Sequence, residues 1–406
     1  MNIHNVKKAQ KRFEVRYNST LNIQAYGKDN LYPQRMLELL KNSPTAGTCC
    51  KRYKDFIEGG GFADQMFAEF VCNRSQETVA EILHLVAKDL AELGGFALHV
   101  NYDMMGQIVE VQHIPFEACR LEEEDDLGHI TYIKYHPDWT GKKTRSGTRI
   151  NVSEENVKKF YVFNPNPFVV LDQVEESGGM DKYLGQILWY SKDGRYKYPT
   201  PIYDTVVTCM STDDGLDNVK YRNVRNNFLL AGMFVHKKAM QLGIDPDTGL
   251  PTKDDDTTTN GISESLDIFQ GDENACAIMD VTINQDEDFP EFKSFEAQNF
   301  DKKFETTEKS TEERIYAAFN QEVFYCIRTG KLGFSGTVIS DAFAYYNSCV
   351  KTERQEIAKV FRKVFSRFAL SLNKGNPICP TDDYTILPVE HISNEDTTQK
   401  KDDTKA

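Results

Sequence analysis

Residues 338–372, VISDAFAYYNSCVKTERQEIAKVFRKVFSRFALSL, decide how the rest of the chain is read. Ile339, Phe343, Tyr346, Val350, Ile357, Val360, Phe361, Val364, Phe365, Phe368 and Leu372 recur at three- and four-residue steps. That is the period of an amphipathic helix, and neither Gly nor Pro interrupts the run. At about 1.5 Å per residue such a helix spans roughly 50 Å, several times the average. A loop of small residues leads into it, Arg328-Thr329-Gly330-Lys331-Leu332-Gly333-Phe334-Ser335-Gly336-Thr337, and Asn373, Gly375 and Pro377 supply stop chemistry. Periodicity alone equally fits a core helix of an ordinary α/β protein; its length and the glycine loop set this one apart.

The 406 residues suffice for two or three cores, and 40% apolar residues can fill them. A formal charge of −14 is the wrong sign for a protein that grips nucleic acid by neutralising phosphates. Nine scattered cysteines form no CxxC pair, so the spacing gives neither a disulfide framework nor a zinc site, and reduced thiols fit best. The polar, basic start from Met1 to Phe13 lacks the apolar core of a signal peptide, and the longest apolar run, Phe228 to Val235, is too short to cross a bilayer. These features point to an intracellular, soluble chain.

Before the long helix the chain divides as follows. Residues 1–22 read as an arm. The turn Tyr26-Gly27-Lys28-Asp29-Asn30-Leu31-Tyr32-Pro33 opens a region with helical spacing through Leu37 and Leu40 and from Thr48 to Ile57, closed by Gly59-Gly60-Gly61. The triple glycine reads as a helix stop and a bend; no Lys-Ser/Thr follows to make it a phosphate loop. A helix is expected from about Glu77 to Leu93, capped by Gly94-Gly95, and then strands over Phe96–Tyr102, Ile108–Ile114, His129–Tyr135 and Phe160–Phe163. The acidic run Glu122–Asp126 belongs at a hairpin tip, and the aromatic stretches Ile187–Tyr190 and Tyr196–Tyr198 flank a Lys192-Asp193-Gly194 turn. Residues 23–200 thus read as one α+β region.

From Ile202 to about Leu230 the spacing predicts a mostly polar helix, with a thin stripe through Val206, Met210, Val219 and Phe228. A small unit follows: a strand over Phe228–Val235, a loop, a short amphipathic stretch (Ile262, Leu266, Phe269) and a strand over Ala275–Ile283. Its loop carries Asp254-Asp255-Asp256, and Asp245, Asp247 and Gly249 faintly suggest a calcium loop whose sixth position is Leu250 rather than Gly. A second polar helix is expected over Phe292–Gln321, and a strand over Tyr384–Val389 precedes a charged, low-complexity tail. No P-loop, HExxH, GxSxG or GxGxxG is present, and Glu312-Glu313 face different directions on a polar helix. No catalytic residue, metal site or cofactor is assigned, and an enzyme with a dispersed active site is the poorest of the alternatives.

This order of elements resembles the portal (head–tail connector) proteins of tailed bacteriophages. Local sequences look similar too: the Tyr26–Pro33 turn, Lys54 to Phe62, Tyr198-Pro199-Thr200-Pro201, Gly330–Ser335, Tyr345-Tyr346-Asn347 and Arg354. The likeness covers most of residues 20–390, and its specificity lies in the ordered pattern more than in any single motif. It implies an α+β, portal-like fold with an α/β wing over 23–200. Stem helices over 201–227 and 291–326 would flank a small β-containing clip over 228–290. A tunnel loop over 327–337 would precede the long wing helix over 338–372, and residues 373–406 leave a strand, a disordered tail and a small or absent crown. It implies a homo-oligomeric, dodecameric ring at one capsid vertex, serving DNA packaging and genome exit. Partners would be the major capsid protein, the terminase large subunit, neck or tail adaptors and double-stranded DNA passing without sequence specificity, with no membrane. The location would be the virion, and host cytoplasm during assembly. Arg328, Lys331, Leu332, Phe334 and Ser335 would line the channel, and Asp254, Asp255 and Asp256 would face clip partners. The alternative is another phage structural protein, a neck adaptor or capsid-associated scaffold.

The physics is compatible. Lean-striped helices are poor elements of a monomer but can be buried between copies in a closed ring. Twelve copies at −14 carry −168 formal charges, so an acidic tunnel would not brake a sliding duplex.

Overall fold

The computed structural model describes residues 13–141, 152–226, 233–237, 243–244, 251–252, 279–283, 300–333, 336–368 and 381–390. The acidic Asp254–Asp256 loop, the calcium-like Asp245–Leu250 stretch, the Ile262–Phe269 segment, Phe334, Ser335 and residues 391–406 lie outside them. The chain forms two units, residues 1–211 with 311–406, and residues 212–310.

The first unit is built on helices α1 (Tyr32–Asn42), α2 (Pro44–Glu58), α3 (Gln65–Ala68) and α4 (Val79–Leu93). Thr78 and Glu81 form a capping box, which starts α4 two residues later than periodicity places it, and Gly94 ends it in the left-handed conformation at φ 80°. Val79, Ile82, Leu83, Val86, Leu90 and Leu93 are buried along its inner face.

That face covers a mixed sheet of β3 (Gly95–Tyr102), β4 (Ile108–Ile114), β5 (Cys119–Leu121), β6 (Tyr132–Tyr135), β7 (Lys158–Val162) and β8 (Gln186–Ser191), in the order β4-β3-β8-β7-β6-β5. Only β7 and β8 run parallel; the other neighbours are antiparallel. A separate pair, β1 (Arg16–Asn18) with β2 (Ile23–Ala25), lies in the expected arm and the start of the wing. The fold is therefore α+β, as expected.

Five details differ. The His129–Tyr135 strand begins only at Tyr132, because Asp125 Oδ1 accepts from Leu127 N and His129 N and holds those residues in the hairpin turn. The turn at Lys192-Asp193-Gly194 extends into the aromatic stretch Tyr196–Tyr198, with Tyr196 at φ 53°. Strand β5 was too short to carry a period, and helix α5 (Pro167–Glu176), started by Asn166 and Pro167, was unforeseen. The expected Tyr384–Val389 strand makes only an isolated bridge, Ile386 to Phe62.

The single long helix is corrected to two, α9 (Gly336–Cys349) and α10 (Lys351–Phe365), numbered after those introduced below. Val350 departs from helical dihedrals at φ −98°, ψ 9°, although Val350 N still donates to Tyr346 O and Arg354 N to Val350 O. Asn347 side-chain Nδ2 donates to Val389 O at 2.9 Å, and Arg354 Nη2 donates to the Asn347 carbonyl at 2.7 Å. Arg354 thus serves a carbonyl that a continuous helix would bond internally, while Asn347 ties the joint to the segment at Val389. Beyond the break, Phe361 packs on Phe62, Phe365 on Phe67 and Phe368 on Phe70, with centroids 5.2–5.4 Å apart.

The stem expectations are also refined. Helix α6 (Val207–Asn226) follows a 3-10 turn at Asp204–Val206 rather than starting at residue 201. The second helix is not continuous to 326. It is α7 (Phe300–Ala318), then a break where Asn320 takes φ 54°, then the short α8 (Glu322–Arg328). The chain passes from one unit to the other within α6 and back within α7. In the second unit, β9 (Met233–Lys237) pairs in parallel with β12 (Met279–Ile283), and β10 (Gly243–Ile244) with β11 (Pro251–Thr252). Lys220 of α6 meets Glu308 of α7.

Candidate functional site

The turn between α7 and α8 is pinned by one fully buried amide. Arg52 Nη1 donates to Gln321 Oε1 at 3.0 Å, while Gln321 Nε2 donates to Cys49 O and Tyr346 Oη, both at 2.8 Å. The Tyr346 hydroxyl donates in turn to Phe319 O at 3.1 Å. Burial pushes its pKa well up, so the hydroxyl stays a donor. The amide ties the turn to α2 and α9, which fixes the frame from which the glycine loop departs.

That loop begins as a helix cap. Gly330 at φ 72° donates to Ile327 O at 3.1 Å and Lys331 N donates to Cys326 O at 2.9 Å, the paired bonds of a Schellman motif. Here only glycine relieves the left-handed turn cheaply, and a side chain at Gly330 would meet nothing within 4 Å.

Of the five residues expected to line a channel, three can be placed. Arg328 is exposed and reaches back, Nη1 to Tyr316 Oη at 3.2 Å and Nη2 to Glu312 at 3.3 Å. The Tyr316 hydrogen bond, ahead of the Glu312 charge, raises its pKa further. Lys331 is exposed, with its ammonium 5.5 Å from the Tyr325 ring centroid. Leu332 is 39% exposed. Both cations sit at the C-terminal end of α8, where the helix dipole favours positive charge. Each therefore has a local partner as well as an open face.

The residues that hold this frame escaped the sequence reading as site residues. Gln321 carries no periodic or motif signal, and Arg52 reads as one more surface charge. Tyr346, Asn347 and Arg354 stood within the resemblance; Tyr346 holds the α7–α8 turn through Gln321, and Asn347 and Arg354 bond at the α9–α10 break. The Tyr26–Pro33 turn has a comparable role. Tyr26 stacks on Tyr198 with centroids 4.1 Å apart and donates to Pro199 O, and Tyr32 Oη donates to Asp204, each at 2.6 Å. It thereby fastens the segment that enters α6. Buried Arg120 donates to Asn30 Oδ1 at 2.5 Å and to Asn30 O at 2.7 Å.

Among the described residues no group of three or more His, Cys, Asp or Glu is placed to hold a metal ion. The His113–Asp89 contact at 2.7 Å also receives Phe116 N at 3.1 Å, so it links α4 to the turn after β4. No helix among the described residues is long and apolar enough to cross a membrane.

No family model matches the chain, and no curated protein matches it. Several solved structures are similar over much of its length at 10% identity. One is a chain in the neck of a native GTA particle computed with C12 symmetry, at TM-score 0.43, covering 83% of this chain and 82% of that one. Another comes from the virion of a native gene transfer agent particle, at TM-score 0.33, covering 70% and 67%. A third comes from the neck of an empty GTA particle computed with C6 symmetry, at TM-score 0.34, covering 70% and 68%.

Proposed function

We propose that the chain is the subunit of a portal ring. The ring sits at one vertex of a tailed-phage capsid and passes double-stranded DNA during packaging and exit. One observation carries the reading: the chain enters and leaves its inserted unit along two helices that are covered only in part. On α6, Met210 and Asp213 are buried, whereas Ser211, Asp217, Asn218 and Tyr221 are exposed. On α7, Thr311, Ile315 and Tyr316 are buried, whereas Glu305, Thr306, Thr307, Lys309, Ser310, Glu313 and Arg314 are exposed. Copies packed side by side around an axis bury such flanks, and closure leaves no flank unpaired.

In this reading residues 201–227 and 291–326 supply the stem and residues 228–290 the clip. The clip, through Asp254–Asp256, meets the terminase large subunit and then the neck or tail adaptors, and the wing meets the major capsid protein. The loop over 327–337 faces the channel and offers Arg328 and Lys331 to phosphates transiently. The subunit is non-enzymatic, and the motor's chemistry lies in the terminase. Assembly takes place in host cytoplasm and the product resides in the virion.

The test is imaging of the purified protein by electron microscopy, with its mass in solution. Rings with a central hole, at twelve times the monomer mass, are expected. A stable monomer at assembly concentrations, together with normal genome filling of capsids that lack the protein, would overturn the proposal. Changing Asp254, Asp255 and Asp256 to alanine should leave rings intact and weaken motor or adaptor docking; unaltered packaging and tail attachment would remove that loop from the partner surface.

A further inference from the structure

On the sheet, a concave site of about 310 Å³ is lined by Val162, Phe163, Leu188, Trp189, Arg195, Tyr196 and Lys363. That volume is at the lower end of the roughly 300–1,000 Å³ of small-molecule sites. The residues divide by chemistry. Phe163, Leu188 and Tyr196 are buried and form an apolar, largely aromatic floor, while Arg195 and Lys363 are exposed and cationic. No carboxylate is among the lining residues.

Two independent features indicate that the cations are held there. Tyr196 is a bulky residue at φ 53°, a conformation that a tyrosine adopts at a cost and that clusters at ligand clamps. Its turn sets the Arg195 guanidinium 4.7 Å from the Tyr196 ring centroid, with Nη2 donating to Tyr196 Oη at 3.0 Å. On the other side, the Lys363 ammonium stands 5.3 Å from the Phe163 ring centroid. Arg367, one turn further along, donates to Pro165 O at 3.1 Å. Partial desolvation first, then the charges of Arg195 at the cavity and Arg367 beyond it, lower the Lys363 pKa, so the Lys363 ammonium is repelled by both guanidiniums. A bound anion would relieve that repulsion. A single negative charge leaves most of it, whereas a phosphate monoester brings close to two.

We propose that this cavity binds an organic phosphate, a phosphate monoester carried on a flat, weakly polar body. The body lies on the aromatic floor and the phosphate meets Arg195 and Lys363 at the rim. The site is independent of the portal reading, because it lies within one unit and needs no neighbouring copy.

The chain has two tryptophans, which makes the test direct. Trp189 lines the cavity, and Trp139 is buried elsewhere, beside Ile23 and Val157. Full-length protein carrying Trp139→Phe therefore reports through Trp189 alone. Titration with phenyl phosphate and with adenosine monophosphate should each give a saturable change in its emission at or below millimolar concentration. The double variant Arg195→Gln/Lys363→Gln in the same background should raise the half-saturation concentration at least about tenfold. Both replaced side chains are exposed, so an unchanged near-ultraviolet circular dichroism spectrum verifies the fold. Absence of saturation with both phosphates, or an unshifted midpoint in the double variant, would overturn the proposal. Benzoate binding as tightly as phenyl phosphate would overturn the phosphate assignment, and inorganic phosphate binding as tightly would overturn the role of the floor.

Discussion

Replacing Arg354 with methionine should destabilise the first unit more than any surface substitution. Its guanidinium is almost fully buried and donates to three acceptors: Phe56 O at 2.7 Å, Asn347 O at 2.7 Å and Asn347 Oδ1 at 3.3 Å. Phe56 lies in the last turn of α2 and Asn347 in the last turn of α9, so one side chain caps two helix C-termini. Methionine keeps most of the volume and removes all three donors. Two carbonyls, one buried and one partly buried, then lose a charged donor, at about 1–3 kcal/mol each. Desolvation depresses the Arg354 pKa, so part of that loss is offset by no longer burying a charge. A net loss of about 2–4 kcal/mol follows, or roughly 4–8 °C in melting temperature at about 2 °C per kcal/mol for a unit of this size. Lysine at 354, able to serve fewer acceptors at once, should fall between. The assay is urea unfolding followed by far-ultraviolet circular dichroism, with calorimetry for the melting temperature. A methionine variant within about 0.5 kcal/mol of the parent, the ordinary range of a surface change, would refute the double-cap account.

Other expectations concern pH, backbone and charge. His99 is neutral in the fold: Gln112 Nε2 donates to its Nδ1 at 2.7 Å, its Nε2–H donates to Leu184 O at 2.6 Å, and burial lowers its pKa. The unfolded chain therefore takes up a proton that the fold resists, so stability should decline as pH falls from about 7 to 5. A His99→Gln variant should show a shallower decline in urea titrations. Gly59→Ala should cost about 2–3 kcal/mol, because a Cβ at φ 63° would collide with Leu387 O, and urea unfolding would register it. Arg328→Gln should change stability by less than about 1 kcal/mol, since its ion pair is exposed. In packaging assays the same variant, combined with Lys331→Gln, should alter translocation if the loop faces DNA.

Sequence alone reached the elements whose signals are local. The glycine end of α4, the β-branched and aromatic runs of β3 and β4 and the polar stretch of α6 can each be read within a few turns of chain. The α9–α10 break could not be, because the groups bonded there are an arginine on a carbonyl seven residues earlier and an asparagine tied to Val389. Nor could the separation of α7 from α8, which depends on Gln321 meeting Cys49 and Arg52 from the other end of the chain. Lys363 and Arg195 lie 168 positions apart and carry no shared motif, so their cavity had no sequence signature. The Gly59–Gly61 stretch was read as a helix stop and a bend. It is also where Gly60 N donates to Leu387 O and Leu387 N to Gly61 O, a close approach that helix rules do not foresee.

That last clasp has a consequence for biosynthesis. The segment around Leu387 reaches Gly59–Gly61 only after some 320 intervening residues have left the ribosome, and α10 covers Phe62, Phe67 and Phe70 scarcely sooner. A nascent or truncated polypeptide leaves that aromatic row bare to solvent, a surface that quality-control factors bind. A chain cut short before Leu387 is therefore expected to aggregate where the longer one folds.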